Sequence, residues 1–243
     1  MLMRNKSHFQ FKQFTVSHAR STMKVGTDTV LLGAWVKVDQ AQSVLDIGTG
    51  NGTIALMLAQ RSLENATIDA VEIEAADATQ AEENFQKSPW NGKIQLHHTS
   101  IQNFFPKKKY DLIVSNPPYF NNSQRPPDEK RHQARHTISL SYDDLIGATL
   151  RLLEDEGKFN VVLPFTEGLH FLDLAKQRGL FCSRRYSFRT RSEKSIERWL
   201  LEFSKNPPHA EERGEILLYN AGEEWSKEYT ALTADFYFRP KVK

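Results

Sequence analysis

What the 243-residue chain has little of narrows its reading first. It holds a single cysteine, Cys182, so no disulfide closes within it, no disulfide-linked partner is expected, and thiolates alone build no structural zinc site. No apolar run approaches the roughly 20 residues of a membrane span. The opening MLMRNKSHFQFKQF lacks the apolar centre of a secretory signal. These absences lead to the expectation of a cytoplasmic protein without a membrane anchor. There is no internal repeat and no low-complexity tract, and the net charge is only +2. Apolar residues, at 39%, suffice for a core, and the length suits one large domain or one with a small appendage.

What is present is alternation. SVLDIG (43–48) reads as a buried strand and NGTIALMLAQR (51–61) as a helix opening from a glycine-rich turn. TIDAVEI (67–73), IQLHHT (94–99) and YDLIVSN (110–116) read as further strands, with an amphipathic helix, EAADATQAEENFQK, after the first of them. SYDDLIGATLRLL has serine and aspartate start signals for a helix. KFNVVLP is a fifth strand, and EGLHFLDLAKQRG a helix closed by Gly179. CSRRYSFR, RWLLEFS and EILLYN then follow without helices, so antiparallel pairing at a sheet edge is expected. Five β-α units ahead of such strands predict a mostly parallel sheet covered on both faces. Ligands on such sheets sit at the carboxyl ends of the strands, near the switch point.

Four candidate residues or turns fall at those ends. LDIGTGNG puts Gly48, Gly50 and Gly52 between strand and helix, where bare backbone amides admit a ligand closely. Glu72, 20 residues after Gly52, stands where a carboxylate accepts from ribose hydroxyls. The G-x-G-x-G spacing departs from the G-x-G-x-x-G of a pyrophosphate site, and Asp46 beside it would repel phosphate yet suit an ammonium. S-adenosylmethionine has a ribose, an adenine and an ammonium, and no phosphate. Here the chain resembles the class I methyltransferases. The resemblance implies a doubly wound, mostly parallel, seven-stranded Rossmann-like α/β sheet with antiparallel C-terminal strands. It places Asp46, Gly48, Thr49 and Gly50 along the methionine half of the donor. Glu72 would hold the ribose with Ile73 beside it, and Ser100 and Ile101 would flank the adenine; the plainer reading of that pair is a strand exit and a core side chain.

The second signal is VSNPPYF (114–120) at the end of the fourth strand. A planar amino group conjugated to a ring is a poor nucleophile. Two acceptors that take its two protons return electron density to nitrogen. The Asn116 side-chain oxygen and the Pro117 carbonyl can be that pair, stiffened by Pro117 and Pro118, with Tyr119 offering a face for a stacked base. No metal is needed. The string resembles the motif of amino-group methyltransferases acting on adenine N6, cytosine N4, guanine N2 or a glutamine amide.

FTVSHARSTMKVGTDTVLLGAW (14–35) sharpens the resemblance. It is similar to the bacterial tRNA1(Val) (adenine-37-N6)-methyltransferases, from about Phe9 to RSEKS (191–195). The family implies S-adenosylmethionine as donor, tRNA as partner, and Lys24, Gly26 and Asp28 at the lip of the donor pocket. Residues 1–35 would form that lip and 36–243 the methyltransferase domain; locally, Thr27 or Asp28 also reads as a helix cap. Two basic stretches suit RNA. The loop after Tyr119 carries Arg125, Lys130, Arg131 and Arg135, and residues 176–194 carry seven Lys or Arg against one acid, among them Arg184, Arg185 and Arg189. Either stretch can equally be a solvated charged surface. Methylation of a protein glutamine or of guanine N2 remains open on chemistry alone. A nicotinamide oxidoreductase is opposed by the glycine spacing and by Asp46, and a catalytically silent RNA-binding module by the intact Asn-Pro-Pro-Tyr.

Overall fold

The structure, a computed structural model, describes residues 7–21, 23–118 and 140–238. Its strands are β1 (His8–Gln10), β2 (Thr15–Ser17), β3 (Ser43–Ile47), β4 (Thr67–Glu72), β5 (Ile94–His98), β6 (Tyr110–Ser115), β7 (Leu153–Pro164), β8 (Phe181–Arg189), β9 (Arg198–Ser204) and β10 (Glu212–Leu217). The helices are α1 (Thr27–Trp35), α2 (Thr53–Arg61), α3 (Ala75–Gln86), α4 (Tyr142–Leu152), α5 (Phe165–Gln177) and α6 (Lys227–Leu232), with one 3-10 turn at Ile101–Asn103. None of them is long and apolar enough to cross a membrane.

Eight strands, in the order β10-β8-β9-β7-β6-β3-β4-β5, make one sheet, where seven were expected. β3 to β7 pair in parallel. β9 is antiparallel to both β7 and β8. The last strand corrects the sequence reading. It begins at Glu212 rather than at EILLYN and pairs with β8 in parallel. The up-and-down alternation is kept, but β10 docks against the strand two back, which already runs in its own direction. Two further features were not expected: the β1–β2 hairpin, and the backward extension of β7 to Leu153 across the polar EDEG stretch.

Apolar strand residues feed a separate cluster on each face. One joins α1, α2 and the N-terminal hairpin to Val44, Val114 and Leu200. The other joins α4 and α5 to Ile47, Ile113, Val161 and Phe203. Val30, Leu31 and Leu32 of α1 are fully buried in the first, so the segment before residue 36 is packed into the main core. At the sheet's far side the Arg184 guanidinium lies 4.1 Å over the Trp35 ring, fastening the end of α1 to β8. Gly179, φ +88°, follows α5 as the left-handed residue expected there.

The order of strands reverses at β3, which takes β4 on one side and β6 on the other. In that register Ile47 lies opposite Ser115. The first residues past each strand, Gly48 and Asn116, are therefore neighbours across about 4.8 Å of sheet. The Ser115 hydroxyl donates to the Ile47 carbonyl at 2.9 Å, pinning the two tips together.

Candidate active site

The turn after β3 is built around a carboxylate. Gly48 and Thr49 donate their amides to the Val71 carbonyl at 2.9 and 3.1 Å. The Gly50 amide donates to Glu72 Oε2 at 2.8 Å, and the amides of Ile73 and Glu74 donate to Oε1 at 2.8 and 2.9 Å. Glu72 is thereby clamped at the tip of β4; burial raises its pKa against the pull of those amides. Gly52, φ +83°, brings the chain so close to Phe85 that an added Cβ would stand 2.4 Å from the ring. Beside Gly48 and Gly50, by contrast, a Cβ would meet nothing within 4 Å. That open space leaves the backbone of the turn approachable.

Asp46 faces the same turn from inside and is fully buried. Its Oδ2 accepts from the Thr49 hydroxyl at 2.6 Å, while Oδ1 has no hydrogen-bond partner among the described residues. Burial pushes its pKa up to about 7, with Thr49 and the Ala55 amide pulling it down and the Glu72 charge adding to the rise. A buried carboxylate with one orphaned oxygen is a natural counter-charge for a ligand cation.

Asn116 completes the crevice from β6. Its Nδ2 donates to Thr29 Oγ1 at 3.2 Å, so α1 supplies one wall of the site. With the nitrogen engaged there, the amide's acceptor is its oxygen. The lip residues arrive through α1. Gly26 is the N-cap, with no side-chain cap, so neither Thr27 nor Asp28 fills that position. Asp28, in the first turn, pairs with Arg198 at the start of β9, 2.7 Å away, and Lys24 is exposed.

The lip is tied to the glycine turn by two asparagines that sequence reasoning missed. Asn51 donates to the Met23 carbonyl at 3.0 Å. Asn84 donates to the carbonyls of Asn51 and Ser17, both at 2.8 Å, and accepts from the Ser17 amide at 2.9 Å. The sole signal for Asn84 was a polar residue among the apolar positions of its helix.

Ser100 caps the 3-10 turn, accepting from the Asn103 amide at 3.3 Å, and Ile101 is buried in the second cluster. Tyr119, Arg125, Lys130, Arg131 and Arg135 lie outside the described residues.

The basic run of β8 reads differently once its neighbours are known. Arg184 is 7% exposed and pairs with Glu202 at 3.0 Å and Glu212 at 3.3 Å. Arg185 pairs with Glu211 at 2.6 Å, and Arg189 with Glu215 at 2.8 Å. Carboxylates of β9, β10 and the chain just before β10 neutralise this strand, and counting charge along one segment cannot see them. Arg184 is accordingly a structural ion rather than a phosphate contact. Cys182 is equally inert, its thiol pushed up to about 12 by burial and by Glu211. A second buried charge, Asp69, accepts from Lys108, His97 and Tyr110 at 2.7, 2.5 and 2.9 Å within the sheet. Among the described residues no group of three or more His, Cys, Asp or Glu side chains is arranged to hold a metal ion.

Comparison with known proteins identifies the family. The chain is 44% identical over 234 residues to a Parabacteroides distasonis protein named tRNA1(Val) (adenine(37)-N6)-methyltransferase, covering 96% of this chain and 98% of the relative. It is 46% identical over 231 residues to a Yersinia pseudotuberculosis protein of the same name, covering 94% and 91%. Among solved structures, one from Agrobacterium tumefaciens described as a "predicted O-methyltransferase" superposes with a TM-score of 0.67 at 15% identity, over 86% of this chain and 96% of that one. At that identity the likeness bears on the fold alone. The model of the methyltransferase small domain matches residues 16–176, spanning β2 to α5 and hence the glycine turn, the clamped glutamate and the Asn-Pro-Pro tip, so the chain belongs to the methyltransferase small domain family.

Proposed function

We propose that the protein transfers the methyl group of S-adenosylmethionine to the exocyclic N6 of adenine 37 in a valine tRNA, in the cytoplasm. The observation that carries this reading is the strand register that sets Gly48 beside Asn116, a donor cradle next to a pair of amino-group acceptors. The names of the relatives favour tRNA over a protein glutamine or guanine N2.

The site fits the donor. Open space beside Gly48 and Gly50 admits its methionine half, Asp46 with its orphaned oxygen meets the ammonium, and Glu72 accepts from the ribose hydroxyls. Ser100 and Ile101 border the adenine. Bound there, S-adenosylmethionine supplies an electrophilic methyl carbon. The Asn116 oxygen and the Pro117 carbonyl then accept the two protons of the target amino group, drawing its nitrogen toward the pyramidal geometry of attack. Preorganised acceptors need no rearrangement as charge develops. The proton left on the methylated nitrogen is acidic enough to pass to water without a strong base.

Thr29 sets the orientation of the Asn116 amide. Thr29→Val, nearly isosteric but without the hydroxyl, is expected to lower kcat about fivefold, in line with loss of one hydrogen bond of roughly 1 kcal/mol. Thr29→Ser should restore it, and neither should alter donor affinity. Steady-state kinetics of the two variants decide the point; equal losses in both would reduce Thr29 to a packing role.

Donor binding should depend on pH through Asp46. Its carboxyl is raised to about 7 in the folded protein, so the protonated form is favoured and the stability it contributes is lost as pH rises through 7. A bound ammonium needs the carboxylate, and an α-amino group stays charged below about 7.7. Affinity for S-adenosylhomocysteine should therefore fall by about fivefold from pH 7 to pH 6, with a proton released on binding. Asp46→Asn should flatten that profile in calorimetric titration. A slope that persists in this variant would assign the proton elsewhere.

Mass spectrometry of nucleosides from tRNA incubated with the protein and the donor tests the whole reading. N6-methyladenosine is the expected product, and its absence with intact donor binding would overturn the substrate.

A further inference from the structure

Two exposed apolar side chains stand on the acceptor side of the crevice without a role in the chemistry above. Phe165 and Leu169 are 39% and 40% exposed. They are four residues apart at the start of α5, hence on one face of that helix. Phe165 follows β7 directly. Val161 of that strand lies opposite Ser115, so the backbone of Phe165 rises past the same edge of the sheet about 10 Å from that of Asn116.

The ring of Phe165 is held, not merely exposed. It stacks on Trp199 of β9 with centroids 5.8 Å apart and planes at 27°. Gly168 allows the helix to sit this close, because a Cβ there would come within 2.6 Å of the indole. The Phe165 amide donates to the Glu197 carbonyl at 3.2 Å, and the Arg185 guanidinium lies 5.6 Å from the Trp199 ring. A flat aromatic face is thus fixed in advance at the same carboxyl-end edge of the sheet as Asn116, on the face that carries α5. Farther along the same edge Arg191 hydrogen-bonds the carbonyls of Asn220 and Gly222.

We infer that Phe165, backed by Trp199, is a stacking platform for a base of the RNA that flanks the extruded target adenine. This rests on the substrate class proposed above. A base has an apolar face of matching size, and stacking tolerates any base, which suits a contact that positions the strand while Asn116 and Pro117 read the amino group. A short strip reached by two residues of one helix is small for a stable interface between proteins, which buries about 800 Å² on each partner.

The test is binding of an anticodon stem–loop RNA to the full-length protein saturated with S-adenosylhomocysteine, which needs no turnover. Phe165→Ala is expected to weaken binding about tenfold or more, the loss typical of one stacked base. Phe165→Leu, which keeps apolar bulk without a ring face, should behave like alanine, and Phe165→Trp should restore affinity. Because no charge is removed, the salt dependence of binding should keep its slope. S-adenosylhomocysteine affinity should be unchanged in all three. Equal RNA affinity in wild type and Phe165→Ala would overturn the inference, as would full rescue by leucine. A change in sedimentation mass on substitution would instead make the strip a contact between copies of the chain. Wild-type protein that binds this RNA but methylates no tRNA would leave the platform standing and overturn the proposed reaction.

Discussion

Asn116→Ala is expected to lower kcat by about 10²–10³, the usual effect of deleting one preorganised polar partner of a transition state. Donor affinity should change little. Asn116 meets the donor side through the adjacency of two strand tips and through Thr29, and the groups that hold the glycine turn are Glu72, Val71 and Asn84. The split between turnover and binding is diagnostic. Single-turnover methylation at saturating donor and RNA measures the first, calorimetry the second. If S-adenosylhomocysteine affinity falls as far as kcat does, the asparagine holds the crevice together and the chemistry lies elsewhere. Asn116→Asp keeps an acceptor and loses the donation to Thr29, so it should retain more activity than alanine.

The second large effect concerns stability. Arg184→Ala leaves Glu202, 5% exposed, without its partner at 3.0 Å. Breaking one side of a buried pair costs about 3–5 kcal/mol, because the remaining charge is left desolvated. The alanine variant also loses the guanidinium over Trp35. Chemical denaturation should show a large drop in midpoint at similar slope. Arg184→Ala with Glu202→Gln should recover part of it by removing the stranded charge. The salt dependence of tRNA binding should not move. A lower salt slope in the folded single variant would return Arg184 to the RNA surface.

These two residues also mark the line between what was legible in the sequence and what was not. Asp46, the glycines and the Asn-Pro-Pro string could be read directly because glycine and proline report local backbone geometry, and strand ends are where such geometry meets a ligand. The parallel strands were equally plain from their apolar runs. Partners that meet only through folding left no local trace. Thr29 lies 87 residues from Asn116, and Asn84 lies 33 from Asn51. The arginines of β8 look like a basic surface until Glu202, Glu211, Glu212 and Glu215 arrive from strands and turns formed later in the chain. Strand direction at the edge failed for a related reason. Alternation along the chain was right, but the neighbour in space was the strand before last.

Helix α1 has a consequence for how the enzyme can be trimmed. It carries Thr29 at one end and Trp35 at the other, with Val30 to Leu32 sealed between α2 and the sheet. A version beginning at residue 36 would discard the Thr29 partner of the Asn116 amide and strip one face of the main core in a single cut. The shortest autonomous unit of this enzyme starts ahead of that helix.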